Sequence, residues 1–272
     1  MRLTETAYAK INLALHVRQR RADGYHTLET VFAFAEDGDV LSARPASDVH
    51  LTISGPFGAE LSAGEDNLVV RAVRALAAAQ GINAGIDLTL EKNLPIASGI
   101  GGGSADAAAA LRLVAALWGL ESGAAMGVAA GLGADVPACV LSQTCFGSGV
   151  GEQLTPVDLQ LAGMPVLLVN PRKACPTGPV FKAWDGVDRG PLEAQNWRQG
   201  RNDLAAPARA LVPDIGHVLD ALGGQPGVTL SRMSGSGATC FALFETDTAR
   251  DAAAAALGRA HPDWWLRATR LR

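Results

Sequence analysis

The chain's 272 residues are 48% hydrophobic and 18% charged, with a formal net charge of −4; this composition excludes a disordered segment, a disulfide-stapled miniprotein and a basic nucleic-acid-binding tail. The length supplies one large domain or two ordinary ones with a substantial core. The four cysteines form no CxxC pair and no HExxH accompanies the five histidines, which argues against structural zinc and for buried free thiols in a reducing cytoplasm. Glu5 and Lys10 interrupt the only stretch where a secretory apolar region would sit, and no apolar run reaches spanning length, so neither export nor a membrane partner is expected.

In chain order, Lys10 to Val17 alternates, with Ile11, Leu13, Leu15 and Val17 on one face and Lys10, Asn12, Ala14 and His16 on the other. This predicts a strand with Lys10 and Asn12 side by side on its polar face. Arg20 to Gly24 reads as a turn, followed by Tyr25, His26 and a second strand over 28–34. Strands are expected at 49–53 and 86–91. Between them lies a helix capped by Asp66 or Asn67, with Leu68, Val69, Ala72, Val73 and Leu76 at helical spacing. Leu94 to Ala110 then runs from a strand through a glycine loop into an alanine-rich helix. A strand at 166–169 ends at Asn170-Pro171, and 173–199, rich in Pro and Gly, reads as loops and short turns. The last third alternates helix (204–222), strand (228–232), turn (234–237), strand (239–244), helix (248–257) and strand (265–271). The expected class is therefore α/β (α+β), with a ferredoxin-like C-terminal part.

The segment Pro95-Ile96-Ala97-Ser98-Gly99-Ile100-Gly101-Gly102-Gly103-Ser104-Ala105 is the most informative. Its glycines let the main chain approach a phosphate without Cβ obstruction, and N–H groups at the following helix start attract anions. Read blandly, it is a flexible connection. Ser104 is a helix cap or a hydroxyl for phosphate or Mg²⁺. No GxxxxGK[ST] and no GxGxxG occurs, which removes the P-loop and Rossmann readings. Gly133-Ala134-Asp135-Val136-Pro137 makes Asp135 either a helix N-cap or a carboxylate aimed into a cleft. Ser234-Gly235-Ser236-Gly237-Ala238 is either a tight hairpin turn or a further phosphate contact. Lys10 is either a solvated lysine or a working charge, and Tyr25 and Phe181 are either ordinary aromatics or platforms for a planar ring.

Together, Ala9 to Leu13, Arg21 to Leu28, the loop 95–105, Gly133 to Pro137 and Ser234 to Ala238 resemble the motifs of the GHMP kinase superfamily, nearly end to end. The resemblance implies a two-domain fold, an N-terminal mixed α/β domain over 1–158 and a C-terminal ferredoxin-like domain over 159–272, with the active site in the cleft between them. It implies transfer of the γ-phosphoryl group of ATP, with Mg²⁺, to an alcohol. The two N-terminal motifs are similar to those of members whose small-molecule acceptor is a methylerythritol carrying a cytidine diphosphate group, on the non-mevalonate route to isoprenoid precursors. By motif match, Asp135 would take or orient the hydroxyl proton and Lys10 would lie beside it. The cytosine would rest against Tyr25 and Phe181 with His26 on its polar edge, Asn12 near the sugar alcohol, and Thr177 and Val150 also on the substrate side. Asn67, Leu68 and Lys92 would border adenine. Ile100 replaces the superfamily's commoner leucine, and Ala105-Asp106 stands where many members carry a second serine, so the metal ligands stay unassigned. The rival readings are another kinase of the superfamily, acting on a sugar, homoserine or mevalonate, and an inactive binding protein of the same fold. No nucleic acid and no obligate protein partner is implied.

Overall fold

The computed structural model describes residues 1–83, 85–121 and 123–272, which pack as two compact units. The first takes Met1–Ala9, Asp37–Ile96 and Gly101–Ser142; the second takes Lys10–Glu36, Ala97–Ile100 and Gln143–Arg272. Strands β1 (Leu3–Arg20) and β2 (His26–Ala46) pair with each other, and each contributes residues to both units.

In the first unit, β3 (Val49–Ser54) lies parallel to β4 (Gly85–Glu91), and β4 pairs antiparallel with the end of β2, from Val40 opposite Glu91 to Ala46 opposite Gly85. A parallel pair needs a crossover, and α1 (Leu68–Gln80) supplies it. Asn67 caps α1, its side-chain carbonyl accepting from the Val69 N–H at 2.9 Å, and Gly81 closes it in the left-handed conformation at φ 63°. After the glycine segment comes α2 (Gly102–Leu117), whose buried run Ala107 to Ala110 lets it pack closely on α1. Two short helices, α3 (Ala124–Ala129) and α4 (Val136–Leu141), complete the unit, α4 also packing on α2.

In the second unit the start of β2 pairs with β5 (Cys145–Ser148), which forms a hairpin with β6 (Gln153–Pro156). These four-residue strands carry too little alternation to be seen in the sequence. A Cβ on Gly147 would stand 2.7 Å from the Phe32 ring, so only glycine lets β5 lie there. A separate antiparallel sheet consists of β7 (Pro165–Asn170), β8 (Val228–Met233), β9 (Cys240–Phe244) and β10 (Trp265–Arg270) in the order β10-β7-β9-β8. Helices α5 (Thr177–Lys182), α6 (Ala205–Leu211) and α7 (Asp214–Gly223) connect β7 to β8, and α8 (Asp247–Ala260) connects β9 to β10. This is the expected ferredoxin-like order. Its core joins Leu167, Val169, Ile215, Val218, Ala242 and Leu257.

Two expectations are corrected. The single helix over 204–222 is two, because Pro213 has no N–H to donate and forces Val212 out of the helical region, to φ −133° and ψ 86°. The stretch 173–199 contains a helix, α5, despite Gly178 and Pro179, because a first turn tolerates proline. The four cysteines are free and buried, and burial pushes the Cys145 thiol up to about 12. Among the described residues no helix is long and apolar enough to cross a membrane.

Candidate active site

Within the second unit, three segments far apart in sequence meet. Main-chain carbonyls of the glycine loop are taken up one after another: Ser98 O by the Thr239 N–H at 3.0 Å, Gly99 O by the Ser234 hydroxyl at 2.9 Å, and Ile100 O by the Lys10 N–H at 3.0 Å. Oxygens that would repel a phosphate are thereby committed to protein donors. The Ser234 hydroxyl also accepts from the Asn12 N–H at 3.1 Å, so it joins β1 to the loop. Gly99, at φ 77°, has no room for a Cβ, which would stand 2.6 Å from the carbonyl oxygens of both Ser234 and Gly237. The 234–238 segment is a turn between β8 and β9 and also the seat of the loop.

Strand β1 is buried on both faces between Ala9 and Val17, with the exception of no residue, so its polar side chains are internal. Lys10 is 2% exposed, which rules out the solvated-lysine reading. Its Nζ donates to Asn12 Oδ1 at 3.0 Å and stands 5.3 Å from the centre of the Phe32 ring. Asn12 Nδ2 donates to Thr30 Oγ1 at 2.8 Å, and the Thr30 hydroxyl donates to Ala14 O at 2.6 Å. A hydroxyl has one proton. Since Thr30 gives its proton to Ala14, it can only accept from Asn12, which turns the Asn12 carbonyl toward Lys10.

The β1–β2 hairpin is tied at its tip: the Arg21 N–H bonds Tyr25 O at 2.8 Å, and the Asp23 carboxylate accepts the Tyr25 N–H at 3.1 Å. Tyr25 itself is 62% exposed. His26 is buried, its Nε2 accepting from Arg20 Nε at 3.3 Å. Burial first, and the Arg20 charge second, hold its pKa below the ordinary value, so the ring is neutral with its proton on Nδ1. The rings of His26 and Phe181 lie 5.1 Å apart at 40°, with Trp184 edge-on to His26 at 5.7 Å. Arg20 fixes this arrangement by donating to the carbonyls of Lys182 and Trp184 at 3.2 and 3.3 Å. Thr177 opens α5 with its hydroxyl 2.9 Å from that of Ser236, and Val150, at the β5–β6 turn, donates its N–H to Glu152 at 2.7 Å.

Within the first unit, Gly101 occupies the cap position of α2 in the left-handed conformation, at φ 65°. Ser104 lies inside the first turn and is not the cap. The first helical bond runs from the Ala105 N–H to Gly101 O at 2.7 Å, so the N–H groups of Gly102, Gly103 and Ser104 lie ahead of the helical ladder. Gly103 is exposed, and a Cβ there would meet nothing within 4 Å. Asp135 is half-buried at the cap position of α4, yet its side chain makes no capping hydrogen bond. Of the residues expected to border adenine, Asn67 has its side chain committed to Val69 N and, at 2.6 Å, to Ser62 O; Leu68 is half-buried at the start of α1. Lys92 is buried, with its ammonium between Asp39 and Asp106.

Sequence reasoning missed Thr30, Asp39 and Asp106. Asp106 left a trace, in the Ala105-Asp106 departure from the resembled loop motif; Thr30 and Asp39 look like ordinary strand residues, and only tertiary structure gives them partners.

Residues 67–143 match the family described as GHMP kinases N terminal domain, and residues 183–263 match GHMP kinases C terminal. The chain is 55% identical over 281 residues to 4-diphosphocytidyl-2-C-methyl-D-erythritol kinase of Rhizorhabdus wittichii, covering 100% of this chain and 96% of that protein. It is 56% identical over 269 residues to the kinase of the same name from Novosphingobium aromaticivorans, covering 97% and 91%. A crystal structure of 4-(cytidine 5'-diphospho)-2C-methyl-D-erythritol kinase matches with a TM-score of 0.79 at 36% identity, covering 99% of each chain. With more than half of its residues shared with the Rhizorhabdus and Novosphingobium kinases over nearly its whole length, the chain belongs to the GHMP kinases and, among them, to the 4-diphosphocytidyl-2-C-methyl-D-erythritol kinase family.

Proposed function

We propose that this chain transfers the γ-phosphoryl group of ATP to a hydroxyl of 4-diphosphocytidyl-2-C-methyl-D-erythritol, yielding ADP and the phosphorylated alcohol. The observation that carries this reading is the full-length identity of 55% to a kinase of that name. The convergence of Lys10, Asn12, residues 98–100 of the glycine loop and the 234–238 turn supports it. Phosphoryl transfer asks a protein mainly for positioning and charge stabilisation, and these residues are of the type that supplies both.

In this reading the N–H groups of Gly102, Gly103 and Ser104, at the positive end of the α2 dipole, receive the phosphates. Asp135 orients the acceptor hydroxyl and takes its proton as the oxygen bonds to the γ-phosphorus and the bond to the β–γ bridging oxygen breaks. Lys10 stabilises the charge that develops. Mg²⁺ neutralises triphosphate charge when bound. Among the described residues no group of three His, Cys, Asp or Glu side chains is placed to hold a metal; the Ser104 hydroxyl, in the first turn of α2, would offer it an oxygen ligand. On the acceptor side, exposed Tyr25 and the His26–Phe181 pair receive the cytosine, and the Nδ1–H of His26 serves a base acceptor. Asn12, Thr177 and Val150 border the remainder, and Asn67 and Leu68 border adenine.

The test is ATP-dependent ADP release with Mg²⁺, comparing the cytidylated alcohol with methylerythritol phosphate, homoserine, galactose and mevalonate. Turnover confined to the cytidylated alcohol is expected; turnover with another acceptor alone would replace the substrate assignment, and none with any acceptor would favour a binding protein. The same assay reads the Thr30 relay. Thr30→Val, which keeps the shape and removes the hydroxyl, is expected to lower kcat about tenfold by freeing the Asn12 amide to turn, a misplacement effect within the known range. Thr30→Ser restores the hydroxyl and should recover most of the rate. Equal rates for both variants would remove Thr30 from the machinery.

A further inference from the structure

Beneath the start of α2 lies a cluster of charges that the reaction itself does not use. Lys92 Nζ, at the end of β4, donates to Asp39 Oδ2 and, at 2.8 Å, to Asp106 Oδ2. All three side chains are buried. Asp39 turns its other oxygen to the main chain just before the glycine loop, where Oδ1 accepts the N–H groups of Asn93 at 2.5 Å and Leu94 at 2.8 Å. Asp106 belongs to the first turns of α2, just after the loop. Gly102, the first residue of α2, passes so close that a Cβ on it would stand 3.0 Å from Lys92 Nζ. One ammonium therefore links the strand-side stem of the loop, through Asp39, to its helix-side stem, through Asp106.

Burial and mutual attraction compete within the cluster. Burial works against the Lys92 ammonium, and the two carboxylates outweigh it, so its pKa lies above the ordinary value. Burial also pushes the Asp106 carboxyl up, to about 8, with Lys92 opposing and Asp39 reinforcing the shift. Asp106 Oδ1 is buried and has no hydrogen-bond partner among the described residues, in keeping with the desolvation that raises the carboxyl.

We propose that Asp39, Lys92 and Asp106 are positioning residues for nucleotide binding: the bridge fixes the separation of the two stems and with it the spacing of the loop N–H groups that meet the triphosphate. This rests on the kinase reading above. It assigns the Lys92 ammonium to the loop's foundation and gives work to Asp106 and to Asp39, the second of which no motif singles out.

The experiment compares ATP affinity, by titration calorimetry, with the KM values of both substrates in folded variants. Lys92→Met alone leaves two buried acids facing each other and invites misfolding. The paired variant Lys92→Met/Asp106→Leu removes the ammonium together with one acid and keeps the two N–H bonds to Asp39. In this variant ATP affinity is expected to weaken on the order of tenfold, the scale of a small misplacement of binding groups, with the KM of the cytidylated alcohol unchanged. Asp106→Asn still offers an oxygen to Lys92 and should keep most of the nucleotide affinity. A purely structural cluster would lower the melting temperature of the paired variant and leave both KM values alone. That result, or an equal loss for both substrates, overturns the proposal. Wild-type protein that binds no ATP overturns the kinase reading and the bridge with it, whereas wild-type affinity in the folded paired variant overturns the bridge alone.

Discussion

Replacing Asp135 with asparagine is expected to lower kcat by about 10²–10⁴-fold, the range for loss of a positioned proton acceptor, while the protein keeps its melting temperature and its affinity for ATP. The structural part of this expectation follows from what Asp135 does for α4. Its main-chain oxygen accepts the Cys139 N–H at 3.1 Å, whereas its side chain makes no capping bond. Asparagine preserves the main chain, the volume and the polarity of the position, so α4 should form as before. Only the negative charge and the capacity to take a proton are lost. Single-turnover assays beside calorimetric unfolding and ATP titration separate the outcomes. Near-normal turnover in a folded Asp135→Asn protein would remove Asp135 from the chemistry and return it to the role of a helix-start residue.

Lys10→Met is expected to reduce kcat by roughly 10²–10³-fold, the scale for deleting one preorganised donor to developing charge. Methionine keeps an unbranched apolar stem against Phe32, so the change is mainly electrostatic. It also leaves Asn12 Oδ1 without the ammonium that donates to it at 3.0 Å, and an unsatisfied buried carbonyl destabilises by about 1–3 kcal/mol. The melting temperature should therefore fall, unlike that of Asp135→Asn. If both residues act on one proton transfer, the double variant should lose little more rate than the worse single one. Multiplying losses would assign them to independent steps.

How much of this was legible in the sequence depended on the range of each interaction. Period-two alternation exposed β1, and the apolar spacing from Leu68 to Leu76 with Asn67 ahead of it exposed α1, because both signals are local. The ferredoxin-like order of the last third followed from element succession alone. The break at Val212 was also encoded, in Pro213, but the apolar residues on either side imitate one continuous helix. Burial of Lys10 was not legible, since alternation marks a polar face without saying whether water or protein covers it. The glycine loop could be recognised as a loop for backbone approach; that Gly99 approaches Ser234 and Gly237 could not, because the partners lie far along the chain. Thr30, Asp39 and Asp106 fall in the same class, each defined by a partner at a distance in sequence.

That distance has a consequence for the order in which the protein can mature on the ribosome. Every residue of the first unit has been synthesised once Ser142 has been added, whereas the second unit draws on Lys10–Glu36 and on residues as late as Arg272. The Asn12 N–H must wait for Ser234, and the carbonyl of Gly99 for the same hydroxyl. Until then the Lys10 strand and the middle of the glycine loop lack their lasting partners, exposing an apolar β segment during the slowest, most non-local stage of assembly. Folding assistance, where this chain needs it, should therefore act on the nascent N-terminal strand, and premature termination between Ser142 and Ser234 should yield a chain with a packed first unit and no seat for its loop.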